Sequence, residues 1–120
     1  MRYKILLTSL MLMLALGVSA QAYNGPWIPI SVDDMPAGFF GEWYSNGTWN
    51  ISAHEDHLRT GNVYYDYGAV LEHATNSSLY CLVLINDGGW RIMIIRINSR
   101  LSMDVAEPAN TMRWTNHTKE

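Results

Sequence analysis

Between residues 78 and 98 the chain carries two long apolar runs, SLYCLVLIN and WRIMIIRIN, with Asp87-Gly88-Gly89 between them. Glycines at that position accept the positive φ of a tight turn, so the segment predicts a β-hairpin. Both runs are apolar at odd and even positions alike. That places them centrally in a sheet or inside a closed one, where both faces of a strand are covered. Upstream, TWNISAH (48–54) alternates, with Trp49, Ile51 and Ala53 on one face and Asn50, Ser52 and His54 on the other. This is the period of a half-buried strand. FFGEWY (39–44) precedes it across Asn46-Gly47, a strong short-hairpin pair. NVYYDY (62–67) predicts a strand with Val63, Tyr65 and Tyr67 on one face, and Gly68 a turn into AVLEHA (69–74). LSMDV (101–105) alternates again. After the break at Glu107-Pro108-Ala109-Asn110, TMRWTNH (111–117) predicts a last strand with Met112 and Trp114 on one side.

These are seven or eight strands at even spacing, the pattern of an all-β antiparallel up-and-down meander. A flat sheet of this length leaves edges unpaired and buries too little, so a small barrel or a strongly bent sheet is expected. Residues 23–37 contain Pro26, Pro29 and Pro36. Proline removes backbone donors and favours extended chain, so this stretch reads as a lead-in rather than a helix. Trp27 and Ile30 are placed to tie it to the domain. The expected organisation is a leader over 1–22, the lead-in over 23–37 and one β domain over 38–118.

The leader has the parts of a cleavable export signal. Arg2 and Lys4 precede an apolar run from Ile5 to Val18, and Ala20-Gln21-Ala22 supplies a small-x-small cut site before Tyr23. Val18-Ser19-Ala20 offers a second. The run is about 14 residues, short of the roughly 20 needed to span a bilayer as a helix. No cysteine follows it to carry a lipid. The expectation is an exported, soluble protein, periplasmic or extracellular, with no membrane span after cleavage and no lipid anchor.

Charge narrows the partners. Lys and Arg number 8 against 11 Asp and Glu, a net −3; without Arg2 and Lys4 the balance is 6 against 11, a net −5. The remaining basic residues, including Arg91, Arg96, Arg100 and Arg113, are spread along the chain. Phosphate backbones need a concentrated positive field, so a nucleic-acid partner is not expected. Cys81 is the single cysteine. An internal disulfide is therefore impossible, and an exported domain of this size must stand on packing alone. In its apolar run Cys81 reads as a small buried hydrophobe.

The candidate chemistry is sparse. His54-Glu55-Asp56-His57 holds two imidazoles and two carboxylates, but a strand would point the histidines to opposite faces. Only a tight turn would join them, with His73 as a third donor through the fold. The sequence shows no G-x-S-x-G, H-E-x-x-H, C-x-x-C or phosphate-cradling glycine loop. Carboxylate pairs such as Glu42 with Asp66 or Glu72 have no supporting motif. No catalytic residue, metal site or cofactor is assigned. The aromatics say more. Trp49, Tyr65, Tyr67, Tyr80, Trp90 and Trp114 fall on expected strands and could line a ligand pocket, although a disulfide-free core needs large rings anyway. Four Asn-x-Ser/Thr triplets, at Asn46, Asn50, Asn76 and Asn116, fit turns and exposed strand faces as well as glycan acceptors.

WNISAHEDHLRTGNVYYDYG (49–68) combines Trp49 and Ile51, the pair Glu55-Asp56 and the box Tyr64-Tyr65-Asp66-Tyr67-Gly68. This stretch resembles the small β domain that precedes the thioredoxin-like domain in some exported bacterial thiol–disulfide oxidoreductases. The thioredoxin part and its Cys-x-x-Cys are missing, and His57, Arg59 and Thr60 stand where that domain is hydrophobic. The resemblance implies a stand-alone β accessory domain and carries no redox activity over. Gly41-Glu42-Trp43 is similar to the Gly-x-Trp that opens lipocalin-type barrels. The functional expectation is a binding or accessory module without catalysis, taking a small apolar ligand or a protein partner. A lipocalin-like carrier is the alternative, and a hydrolytic or metal-dependent enzyme comes third.

Overall fold

The computed structural model describes residues 26–107 and 113–119. The leader, Met112 and the first residues of the expected last strand lie outside them. Nine strands follow in chain order: β1 (Trp27–Ile30), β2 (Gly41–Ser45), β3 (Thr48–Ala53), β4 (Leu58–Thr60), β5 (Val63–His73), β6 (Leu79–Asn86), β7 (Gly89–Ser99), β8 (Ser102–Ala106) and β9 (Thr115–Thr118). From β2 to β9 every strand pairs antiparallel with its chain neighbour, and β9 returns to β2 through Tyr44 and Thr118. The result is a closed, eight-stranded, up-and-down barrel with one extra strand. Closure removes the edges that an open sheet of this composition would expose.

The extra strand has a physical reason. β5 is eleven residues long but β4 is three, so β4 covers only Val63–Tyr65 on their shared edge. β1 pairs with the overhang, Trp27 opposite His73 and Ile30 opposite Val70. The proline-rich lead-in thus becomes sheet. Pro29 fits there because an outer edge strand needs no donor on its free side.

Two departures from the sequence pattern share one cause, the β-bulge, and a further bulge accompanies them. Gly68 makes no turn: β5 runs unbroken from Val63 to His73, and its register against β6 shifts between Tyr67 and Ala69. In β3 the register against β2 shifts between Trp43 and Tyr44, which leaves Asn50 as the extra residue. Ile51 and Ala53 stay in the core, whereas Trp49 joins Ser52 and Glu42 on the outer face, where its Nε1–H donates to both side chains. A third shift falls between Ile97 and Ser99 of β7. Such bulges bend and twist strands, which a barrel this narrow requires. The final strand begins at Thr115, so Trp114 precedes it, and β2 begins at Gly41 rather than Phe39.

The Asn46-Gly47 hairpin is a tight two-residue turn, with φ of 54° and 78° at its central residues and Ser45 opposite Thr48. The β6–β7 turn works differently. Asp87 and Gly88 connect Asn86 to Gly89, the Gly88 N–H donates to Asn86 Oδ1, and the positive φ falls on Gly89.

The barrel interior is packed by Trp43, Ile51, Leu58, Tyr67, Val70, Tyr80, Leu82, Leu84, Met93, Ile95 and Met103. One end is plugged. Two 3-10 turns, Val32–Asp34 and Ala37–Phe39, bring Met35 and Phe39 into this core, and Trp43 Nε1–H donates to Phe39 O at 2.8 Å. Lys119 closes the same end, its Nζ donating to Phe40 O at 2.7 Å and lying 5.0 Å from the Trp43 ring. A second apolar cluster lies on the outer face of β5, β6 and β7: Leu71, Leu79, Cys81, Val83 and Ile94, with Trp27 from β1 and Trp114 beside it. The two central runs are therefore apolar on both faces because each face meets a different core.

Candidate functional site

The end opposite the plug is open. Here β3 and β7 begin and β4 and β8 end. Asn50, Ile51, Thr60, Arg91, Met93, Val105, Ala106, Glu107, Arg113 and Thr115 surround a cavity of about 300 Å³. That is roughly ten water volumes and the lower end of the range for small-molecule sites. Its floor is apolar, from Ile51, Met93 and Val105 at the top of the core. Its mouth is polar and charged.

Arg91 enters by strand geometry. Along β7 the inward positions are Arg91, Met93, Ile95 and Ile97, so the first of an apolar row is a guanidinium at the rim. Its Nε and Nη2 donate to Glu107, while Nη1 donates to Thr60 Oγ1 at 3.3 Å and Tyr65 Oη at 3.4 Å. Its pKa is raised: burial pulls against the charge, but the bonds to Glu107 and Tyr65 outweigh it. Arg113 lines the other side of the mouth and is exposed; no partner engages it among the described residues.

The deepest polar group is His117, 2 % exposed on the inner face of β9. Its Nδ1 lies 3.0 Å from Thr115 O and its Nε2 2.7 Å from Asn50 Nδ2. A carbonyl can only accept, so Nδ1 carries the proton and Nε2 accepts from the Asn50 amide. Burial lowers the His117 pKa against the smaller raising effects of the Thr115 carbonyl and Asp104. The ring is a neutral prop. It leaves the Asn50 carbonyl and second N–H available at the cavity. The bulge at Asn50 is what turns that side chain inward.

The aromatics expected to line a pocket do not ring this one. Tyr67 and Tyr80 are packed in the barrel core, each with its phenol pKa raised mainly by burial. The Tyr67 hydroxyl donates to His54 O at 2.7 Å. Tyr65 is half-buried and reaches the site only through Arg91. Trp49 is on the outer face beside a shallower hollow of about 240 Å³, shared with Ser45, Thr48 and Asn50, with Arg59 5.0 Å from its ring. Trp90 stands 52 % exposed at the β6–β7 turn. Trp114 belongs to the outer cluster, with the Arg96 guanidinium 4.3 Å from its ring centre. Large rings filled the core and the outer face, and the cavity fell to smaller polar residues. One signal for them was present in the sequence, a charge on the otherwise apolar inward row of β7; the displacement of Asn50 was not, because only the pairing with β2 shows it.

A tight turn does join His54 and His57. His54 N–H donates to His57 O at 2.9 Å and the rings stack 4.5 Å apart. His57 Nδ1 pairs with Asp56 at 2.8 Å, and this bond holds the Asp56 pKa below its ordinary value. His73 packs edge-on against Trp27 instead, and no group of three potential metal ligands occurs among the described residues. Cys81 is fully buried in the outer cluster, and burial pushes its thiol up to about 12.

Fold and site together define a small closed β-barrel, plugged at one end and bearing a polar-mouthed cavity at the other. No protein-family model, no curated protein and no solved structure matches this chain. No helix among the described residues is long and apolar enough to cross a membrane.

Proposed function

We propose that this is an exported, non-catalytic binding module that takes a small molecule into the open end of its barrel. One observation carries the reading. The interior is filled by side chains over most of its length, and at the open end, where polar groups converge, a cavity of about 300 Å³ remains. A residual packing gap would be apolar and closed, whereas this one has an apolar floor, a charged rim and an amide braced by a buried histidine. Eight-stranded barrels are wide enough to hold one small ligand. This supports the carrier expected from the lipocalin-like opening and shifts its ligand from purely apolar to amphipathic. The accessory role implied by the resemblance to an oxidoreductase β domain is compatible with it.

Native mass spectrometry of protein purified from its exporting host tests the proposal, run beside Thr115→Trp, which fills the mouth from an exposed position. A bound small molecule in the wild type that is lost in the variant is expected. Protein that carries nothing, and shows no shift at cavity residues when screened by NMR against a small-molecule set, would overturn it.

A further inference from the structure

We infer that the ligand of this cavity is a small monoanion, a carboxylate on a compact apolar body, with Arg113 as its counter-ion. The inference rests on the reading that the cavity is a binding site and goes on to name the ligand's chemistry. Three charged groups line the mouth: Arg91, Arg113 and Glu107. Arg91 is already satisfied by Glu107 on two nitrogens and by Thr60 and Tyr65 on the third. That leaves one positive charge uncompensated, and it sits on Arg113, which has no partner among the described residues. A neutral ligand leaves that charge unpaired at the rim, and a dianion brings one charge too many. A monoanion balances the site.

The other donors suit a carboxylate. The Asn50 amide has a second N–H beyond the one given to His117, and the Thr60 and Thr115 hydroxyls stand at the same mouth. A planar guanidinium presents paired N–H groups that match carboxylate geometry. Below them Ile51, Met93 and Val105 offer an apolar floor that no second charged group would enter without losing its hydration. Volume sets the upper size. About 300 Å³ takes a short chain or a single ring beneath the head group, and not a long-chain lipid.

The test titrates the purified protein with sodium hexanoate and, separately, with hexanol, following backbone amide shifts in wild type, Arg113→Gln and Thr115→Trp. Expected are hexanoate shifts centred on Asn50, Thr60, Val105 and Thr115, with hexanol at least about tenfold weaker. Arg113→Gln should weaken hexanoate about tenfold, in line with a charged hydrogen bond, and leave hexanol unchanged. Thr115→Trp should abolish both. Hexanol binding as tightly as hexanoate, or hexanoate indifferent to Arg113→Gln, overturns the anion assignment while the cavity stands as a site. If neither compound moves any cavity residue, the binding reading fails and the assignment falls with it. The spectrum of each variant reports its own fold.

Discussion

Asn50 and His117, sixty-seven residues apart in the chain, meet on the inner side of the barrel with Nδ2 and Nε2 2.7 Å from each other. Strands β3 and β9 are not neighbours; β2 lies between them. The contact therefore bridges over β2 on the inner side of the barrel rather than running along a ladder, and it ties β3 to β9 at the open end. Asn50→Ala leaves the buried Nε2 with no donor, a loss of about 1–3 kcal/mol. Urea denaturation of the variant should show that drop with an unchanged slope.

The same histidine sets a pH dependence. Its pKa is lowered in the folded protein from the ordinary 6.5. Unfolded chains then bind the proton more readily than folded ones once pH falls below about 6.5, and stability falls with it. Above that value both states are neutral and the full stability is present. Thermal melts should show Tm constant above pH 7 and declining toward pH 5. His117→Gln should flatten the decline. Asp56 and Asp104, whose pKa values are lowered from 3.8, act only at more acidic pH.

The Arg91–Glu107 pair is a different kind of interaction. Its side chains are 33 % and 52 % exposed, so solvent screens it. Glu107→Gln should change stability by less than about 1 kcal/mol, with the difference shrinking further in high salt. Chemical denaturation at low and high NaCl checks this.

Phe39 is the plug, 1 % exposed and carrying the carbonyl that accepts from Trp43. Phe39→Ala removes a buried ring and should cost about 3–5 kcal/mol. Because the carbonyl remains, the Trp43 bond is not deleted chemically. Tryptophan emission that shifts to the red in the folded variant would report water entering that end.

Cys81 is 0 % exposed with its thiol pushed up to about 12. The native protein should resist iodoacetamide at pH 8 and become alkylated only at its opening rate. Mass spectrometry against time reads this directly. Fast labelling in native buffer would show the outer cluster to be open to solvent.

The meander, its antiparallel order and its two-faced central hairpin were legible because they depend on period-2 apolar patterning and turn residues, which are local. LYCLVLIN is buried on both faces as its composition requires. What escaped depends on register. Gly68 was read as a turn because glycine there is equally consistent with a turn and a bulge, and only the partner strand decides. At Asn50 one displaced residue moved Trp49 outward and the amide inward, which reversed the assignment of the cavity. The lead-in joined the sheet because β5 outruns β4, a length mismatch visible only once both strands are placed. Arg91 was readable as a charge on an apolar row, but its meaning depended on which end of the barrel the row reached.

The barrel closes through a single pairing, Tyr44 with Thr118, made by a strand that follows all its partners in the chain. During synthesis, seven strands are complete before the eighth exists. Until then β2 and β8 are raw edges and the lumen has no fourth wall for His117 to complete. The barrel cannot lock shut until β9 has been made. The pairing that closes the barrel is thus also the last of its strand pairings to become possible as the chain emerges.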